Sequence, residues 1–185
     1  MSVNPTDAAR RAVKRSGVEA LVVDDLLVRD LPMMGWSGSP SHLRSVAQLL
    51  AVVESGTGDV EYLALRAPGG EPIAKVCIDY RSHDDAGTLT QAAVHGDLQG
   101  LGLGTRLIAV AEERVRARGK GRSVMGVEES NPRARALYER LGYSEFSREH
   151  ASWEHEDSDG RVSKYETEIV LLGKHLRGLM GRADG

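Results

Sequence analysis

Between Leu98 and Val115 the chain reads LQGLGLGTRLIAVAEERV, with glycine at positions 100, 102 and 104. Glycines on alternate positions weaken a strand or helix interior, so they mark a turn where something approaches the backbone closely. Leu107, Ile108, Ala111 and Val115 follow at helical spacing, and so predict a helix that starts inside the glycines. On its other face Glu112 stands four residues before Arg116, an i,i+4 ion pair. A helix start exposes unpaired N–H groups and about half a positive charge. Glycines before it let a bulky anion reach those donors, and the Thr105 hydroxyl can add another. The physical expectation is a phosphate or pyrophosphate cradle. A plain flexible strand-to-helix turn is the alternative that glycines alone leave open.

Two nucleotide-binding patterns fail here. A Walker loop ends in Gly-Lys-Ser/Thr, whereas Gly104 is followed by Thr105 and Arg106. A dinucleotide fingerprint needs two residues between its second and third glycines, and Gly102 and Gly104 have one between them. The latter disfavours a dinucleotide-dependent oxidoreductase.

The flanking segments supply the rest of a mixed α/β pattern. Glu19–Leu31 is rich in Val and Leu and reads as strand, with a hairpin as the alternative. The loop-like LPMMGWSGSP leads to Ser39 as N-cap and Pro40 as first helical residue. Leu43, Val46, Ala47 and Leu50 carry that helix toward Gly56. DVEYLALRA and IAKVCIDYR around PGGEP read as an antiparallel hairpin, and Gly87–Val94 as a strand entering the glycine turn. GRSVMGVEE is a further strand. Asn131 then caps a helix that Pro132 starts, Ala134, Leu137, Tyr138 and Leu141 line, and Gly142 stops. SEFSREHASWEHE and SKYETEIVLLG read as two strands joined by the acidic turn DSDG.

At 185 residues the chain fits one domain, expected over residues 18–176. Residues 1–17 are expected as a frayed helix or flexible tail, and 177–185 as a flexible tail. A net charge of -3 gives no electrostatic reason for nucleic-acid or membrane binding. No apolar run approaches the roughly 20 residues of a membrane span, no apolar signal core follows the start, and Cys77 is the single cysteine. The cytoplasm is the expected location. The acidic cluster Glu154, Glu156, Asp157 and Asp159 lacks metal-ligand spacing, so it is expected as a solvated hairpin, and no metal is called for.

The glycine turn fits Gln/Arg-x-x-Gly-x-Gly/Ala, written here as Gln99-Gly100-Leu101-Gly102-Leu103-Gly104. With VEESNPRARALYERLGY (Val127–Tyr143) following at the right separation, the chain resembles the GCN5-related N-acetyltransferases. The resemblance covers roughly Val60 to Tyr143. It implies a single mixed, mostly antiparallel sheet flanked by helices and opened between two central strands, the acyl-CoA N-acyltransferase fold. It implies acetyl-CoA as co-substrate, with its pyrophosphate arm on Gln99, Gly100, Leu101, Gly102, Leu103, Gly104 and Thr105, and a further contact from Asn131. Glutamine replaces the usual arginine at the first motif position, so Gln99 can bond phosphate but brings no charge. A bulged strand should turn backbone N–H groups toward the thioester at Ala93 and Val94.

Acetyl transfer to an amine needs a deprotonated nucleophile, donors for the developing oxyanion, and an acid for the leaving thiolate. By resemblance Tyr138 takes the place of the general acid; a packed helix tyrosine is the alternative. Glu128 is the preferred base, since only one of Glu128 and Glu129 can face inward from a strand. His95 or a water chain are the competitors. Trp36 and Trp153 fall where the family lines its acceptor site. The expected activity is acetyl transfer to a primary amine of a small molecule. Protein N-terminal or lysine acetylation, and a non-catalytic acyl-CoA-binding sensor, are the alternatives. Family habit suggests a homodimer.

Overall fold

The segment Pro72–Asp79 is buried at seven of its eight residues, so both of its sides must be covered. The computed structural model, which describes residues 4–156 and 161–176, covers them with two layers of helix. In chain order the elements are α1 (Pro5–Ser16), β1 (Val23–Asp25), α2 (Pro40–Glu54), β2 (Val60–Arg66), β3 (Pro72–Asp79) and β4 (Ala86–Val94). They continue with α3 (Leu103–Ala117), β5 (Arg122–Glu128), α4 (Pro132–Arg140), β6 (Ser144–Glu156) and β7 (Val162–His175). The strands form one seven-stranded sheet in the order β1-β2-β3-β4-β5-β7-β6. Every neighbouring pair is antiparallel except β4 with β5. The expected single mixed sheet flanked by helices is therefore what the chain builds.

The pleat divides the core. Leu63, Leu65, Ala74, Val76 and Ile78 face α1 and α3, where Ala9, Leu107, Ile108, Ala111 and Val115 meet them. Tyr62, Ala64 and Cys77 face the other way, toward Val46 and Leu50 of α2. The inner face of α4, with Ala134, Leu137, Tyr138 and Leu141, packs on the α3 side. Within α3, Glu112 departs from the exposed face expected for it and is 4% exposed. Its carboxylate takes Lys174 Nζ at 2.8 Å and the Tyr143 hydroxyl at 3.0 Å, besides the predicted pair with Arg116. Tyr143 Oη also lies 2.8 Å from Ser123 Oγ, whose hydroxyl can donate back to it, which ties α3 to the strands beside it.

Two expectations near the N-terminus need correction. Of the frayed helix and the tail expected for residues 1–17, residues 5–16 form the helix, and it packs on the core. Asn4 caps α1 by accepting from the Thr6 N–H at 3.0 Å, and Ala9 and Ala12 are buried, because small side chains let the helix sit close on the core. The folded unit thus begins at least at residue 4, not 18. Glu19–Leu31 is not one strand either. Only Val23–Asp25 is strand, between 3₁₀ turns at Val18–Ala20 and Val28–Met33. The second turn forms because the Asp30 carboxylate takes the Leu27 N–H at 2.9 Å, drawing the backbone away from the β ladder. Residues 157–160 of the acidic turn, and the 177–185 segment, lie outside the described residues.

Asp30 is itself held by Arg66, whose guanidinium meets Asp30 at 2.9 Å and 3.1 Å, Asp24 at 2.5 Å and two backbone carbonyls. Burial would raise the Asp30 carboxyl, but the Arg66 and Leu27 hydrogen bonds and the nearby charge outweigh it and hold the pKa below the usual range. A depressed carboxyl stabilises the fold above the unfolded aspartate value of about 3.9 and loses that contribution as pH falls through the lower folded value. Asp30→Asn should cost roughly 3 kcal/mol at pH 7, as expected for half of a buried pair. Denaturant titrations should show the gap to wild type narrowing at pH 3; a gap independent of pH would contradict the charged pair.

Candidate active site

The parallel strands β4 and β5 pair only through Ala86–Leu89 and Arg122–Met125. Beyond that β4 stays with β3 as far as Val94, and β5 stays with β7 as far as Glu128. The sheet splits, and the facing edges are left without each other's hydrogen bonds. A bulge in β4 sits at the split. Thr90 pairs with Cys77 and Ala93 with Lys75, so Gln91 and Ala92 stand opposite the single residue Val76. Gln91 has φ +52°, the one positive φ outside glycine among the described residues. The bulge therefore lies at Gln91–Ala92, just before the Ala93 and Val94 expected to carry it. Those two residues follow it along the wall of the opening.

A groove of about 690 Å³ runs from the split to the start of α3. Helices α1, α2 and α4 begin under side-chain caps from Asn4, Ser39 and Asn131. Helix α3 begins at Gly102, which has no side chain to cap it and sits at φ +84°. Its first helical bond runs from Arg106 N to Gly102 O, leaving the N–H groups of Leu103, Gly104 and Thr105 for a ligand. A Cβ on Gly100 or Gly102 would meet no protein atom within 4 Å; the space there belongs to the groove. Gln99, Gly100, Gly102, Leu103, Gly104 and Thr105 all line it, with Asn131 on the opposite wall. Leu101 does not: its side chain packs against the core. An uncapped helix start, open glycines and a long groove fit a diphosphate with an extended arm.

A second cavity of about 310 Å³ lies in the split itself, between β4 and β5 and against α4. It shares Ala92, Asn131, Ala134 and Tyr138 with the groove and adds Gln91 and Glu128. Burial raises the Tyr138 phenol above its usual value, so it is protonated at neutral pH. Its ring lies 6.4 Å from Tyr143, edge-on. Glu128 accepts from the Tyr165 hydroxyl at 2.8 Å and from Ser130 at 3.5 Å. Glu129, in the turn just past β5, lines neither cavity and pairs with Arg148. His95 lines neither cavity. It accepts from Asp97 N and lies 5.6 Å from Trp36, whose indole donates to Pro72 O. Trp36 is thus a packing residue outside both cavities. The Trp153 ring lies 5.0 Å from that of Tyr165, tilted by 48°, on a two-stranded arm that continues β6 and β7 past the end of β5.

The model of the Acetyltransferase (GNAT) family matches residues 28–143. The chain belongs to this family. Solved GNAT structures share the fold. The ribosomal-protein-S18-alanine N-acetyltransferase of Escherichia coli superposes with a TM-score of 0.65 at 22% identity, over 89% of this chain and 99% of that one. The IAA acetyltransferase of Bacillus cereus gives 0.65 at 19% identity, over 85% and 100%. The PaiA N-acetyltransferase of Thermoplasma acidophilum, in complex with coenzyme A, gives 0.61 at 12% identity, over 85% and 99%. No curated protein matches the sequence. Among the described residues no helix is long and apolar enough to cross a membrane.

For this GNAT enzyme the sequence motifs miss one charge. Arg133, in the first turn of α4, donates from Nη1 to Gln99 Oε1 at 3.1 Å and lines the groove. The positive charge absent at Gln99 is returned from the opposite wall. A legible signal existed: Arg133 and Arg135 occupy a helix's first turn, where the dipole disfavours cations, so an anion nearby is implied. Arg133→Gln should raise the dissociation constant of coenzyme A about three- to tenfold at low salt, with the gap closing as ionic strength rises. Calorimetric titration at two salt concentrations checks this; an unaltered affinity at low salt would remove Arg133 from the site.

Proposed function

We propose that the protein transfers the acetyl group of acetyl-CoA to a cationic primary amine of a small molecule by direct attack. The observation that carries this is the meeting of the two cavities at Tyr138. The larger groove suits the cofactor, its diphosphate on Gly100–Thr105 and Arg133 and its arm beside Ala93 and Val94. The smaller cavity, of about 310 Å³, is of a size for a small acceptor. The Glu128 carboxylate attracts the ammonium form of the acceptor, and Tyr165 keeps the carboxylate oriented. Once the amine proton has passed to Glu128 or to water, the nitrogen lone pair attacks the thioester carbon and the C–S bond breaks. Tyr138 delivers its proton to the departing sulfur. Positioning across the split converts a bimolecular encounter into a local one. Cytoplasmic location and a homodimer belong to the same proposal and rest on the family resemblance and the sequence.

Thiol release from acetyl-CoA across an amine panel tests the assignment. Small cationic amines should be the best acceptors, and added salt should raise their Michaelis constants more than that of acetyl-CoA. Acidic amino acids as best acceptors would contradict the role of Glu128. Turnover confined to peptides would make the enzyme a protein acetyltransferase, and coenzyme A binding without any turnover would make it a sensor.

Tyr138 gives a sharper expectation. Tyr138→Phe keeps the packed ring and should lower kcat roughly 10²-fold, the low end for general acid catalysis, with acetyl-CoA affinity nearly unchanged. The deficit should shrink as pH rises past the thiol value of about 8.5, where the leaving group no longer needs a proton. A variant keeping over half the wild-type kcat at neutral pH, with chemistry rate-limiting, would remove the acid role.

A further inference from the structure

Lys75 lies on β3 directly beneath the β4 bulge and is 0% exposed. It points to the α2 side of the sheet, the side of Tyr62 and Cys77. An ammonium in such a place is costly to desolvate, and its hydrogen-bond partners include no carboxylate. Each of its three protons instead meets a neutral acceptor: Gln91 O at 3.1 Å, Tyr62 Oη at 3.0 Å and His42 Nε2 at 3.0 Å. Tyr62 in turn donates to Gln91 Oε1 at 2.6 Å. Main chain and side chain of the residue with φ +52° are therefore both gripped from below. Burial lowers Lys75 to about 8, leaving it largely charged at neutral pH. Burial and the Lys75 charge lower His42, keeping its imidazole the neutral acceptor that the network requires.

Without these bonds the Gln91 carbonyl would be an orphan in an apolar layer, and the extra residue could be expelled from the ladder. Losing a bulge shifts the following strand by one residue and turns each side chain to the other face. Ala92, Ala93 and Val94 would then present the wrong groups to the groove. We propose that Lys75 is a positioning residue for acyl transfer, fixing the Gln91 bulge and through it the backbone of Ala92–Val94 along the cofactor groove.

This rests on the acetyltransferase assignment above, and the experiment separates the two. Lys75→Met, of similar volume, should fold and bind coenzyme A within threefold of wild type, because the cradle at α3 is untouched. Its kcat should fall at least tenfold, and amide hydrogen exchange at residues 91–94 should quicken at least tenfold with the rest of the sheet unchanged. Tyr62→Phe, which frees the Gln91 side chain and takes one of three acceptors from Lys75 while leaving its bond to Gln91 O, should show the same pattern more weakly and decides the matter if Lys75→Met does not fold. A kcat within twofold of wild type, or a loss of kcat with exchange unaltered, overturns the proposal. Wild-type protein without turnover on any amine would overturn the acetyltransferase assignment instead, and the exchange rates alone would then show whether Lys75 holds the bulge.

Discussion

Two parallel strands that stop pairing partway along must leave backbone donors and acceptors facing one another across a gap, and most of this molecule serves to make that arrangement stable. Strand β4 keeps its outer partner β3 to its last residue, and β5 keeps β7. Only the inner edges are bare, where a pantetheine-like chain can take the place of a strand. Exposed strand edges are ordinarily a liability. Here α3 and α4 close over one side of the opening, so the unpaired groups border a groove and not an open surface.

The charges around the opening are distributed in a consistent way. At the start of α3 the available donors are backbone N–H groups, joined by one guanidinium on the facing helix. Neither comes from the residue that begins the glycine motif. Buried polar networks sit one layer back, and two of the three fasten elements that border the site, α3 and the β4 bulge. Glu112 with Lys174 and Tyr143 fastens α3 to the strands. Asp30 with Arg66 fastens the 3₁₀ segment before α2. Lys75 fastens the bulge. Such networks are fragile to the loss of one member, since a partner left behind is buried and unpaired. That fragility also gives them directional precision, which apolar packing lacks.

The second cavity is organised differently from the groove. Its carboxylate, Glu128, ends a central strand, but the hydroxyl that orients it, Tyr165, comes from an arm paired only with β6. An arm held by one neighbour is more easily remodelled than a strand held by two. The groove thus rests on the fixed part of the sheet, and the second cavity reaches, through Glu128 and Tyr165, its more adaptable arm.

Much of this was legible in the residues themselves. The helix caps at Ser39 and Asn131, the hairpin around PGGEP, the apolar stripe of α3 and the glycine turn are local features, set by backbone sterics and by side chains a few positions apart. The glycine spacing with the following Asn-Pro helix was enough to indicate the family. What the chain could not reveal locally depended on partners distant in sequence. Whether Glu112 faces water or the core is decided by Lys174 and Tyr143, and whether residues 19–31 run on as strand is decided by Arg66 gripping Asp24 and Asp30. A bulge leaves no trace in periodicity when its residues are small, so its place at Gln91 became visible only from the register of β4 against β3. The same holds for the charge of Arg133, which reaches the groove only because the split sheet brings α4 against the start of α3. Local steric preference is written along the chain; register, burial of charge and the meeting of two helix ends are properties of the packed sheet, where residues dozens of positions apart become neighbours.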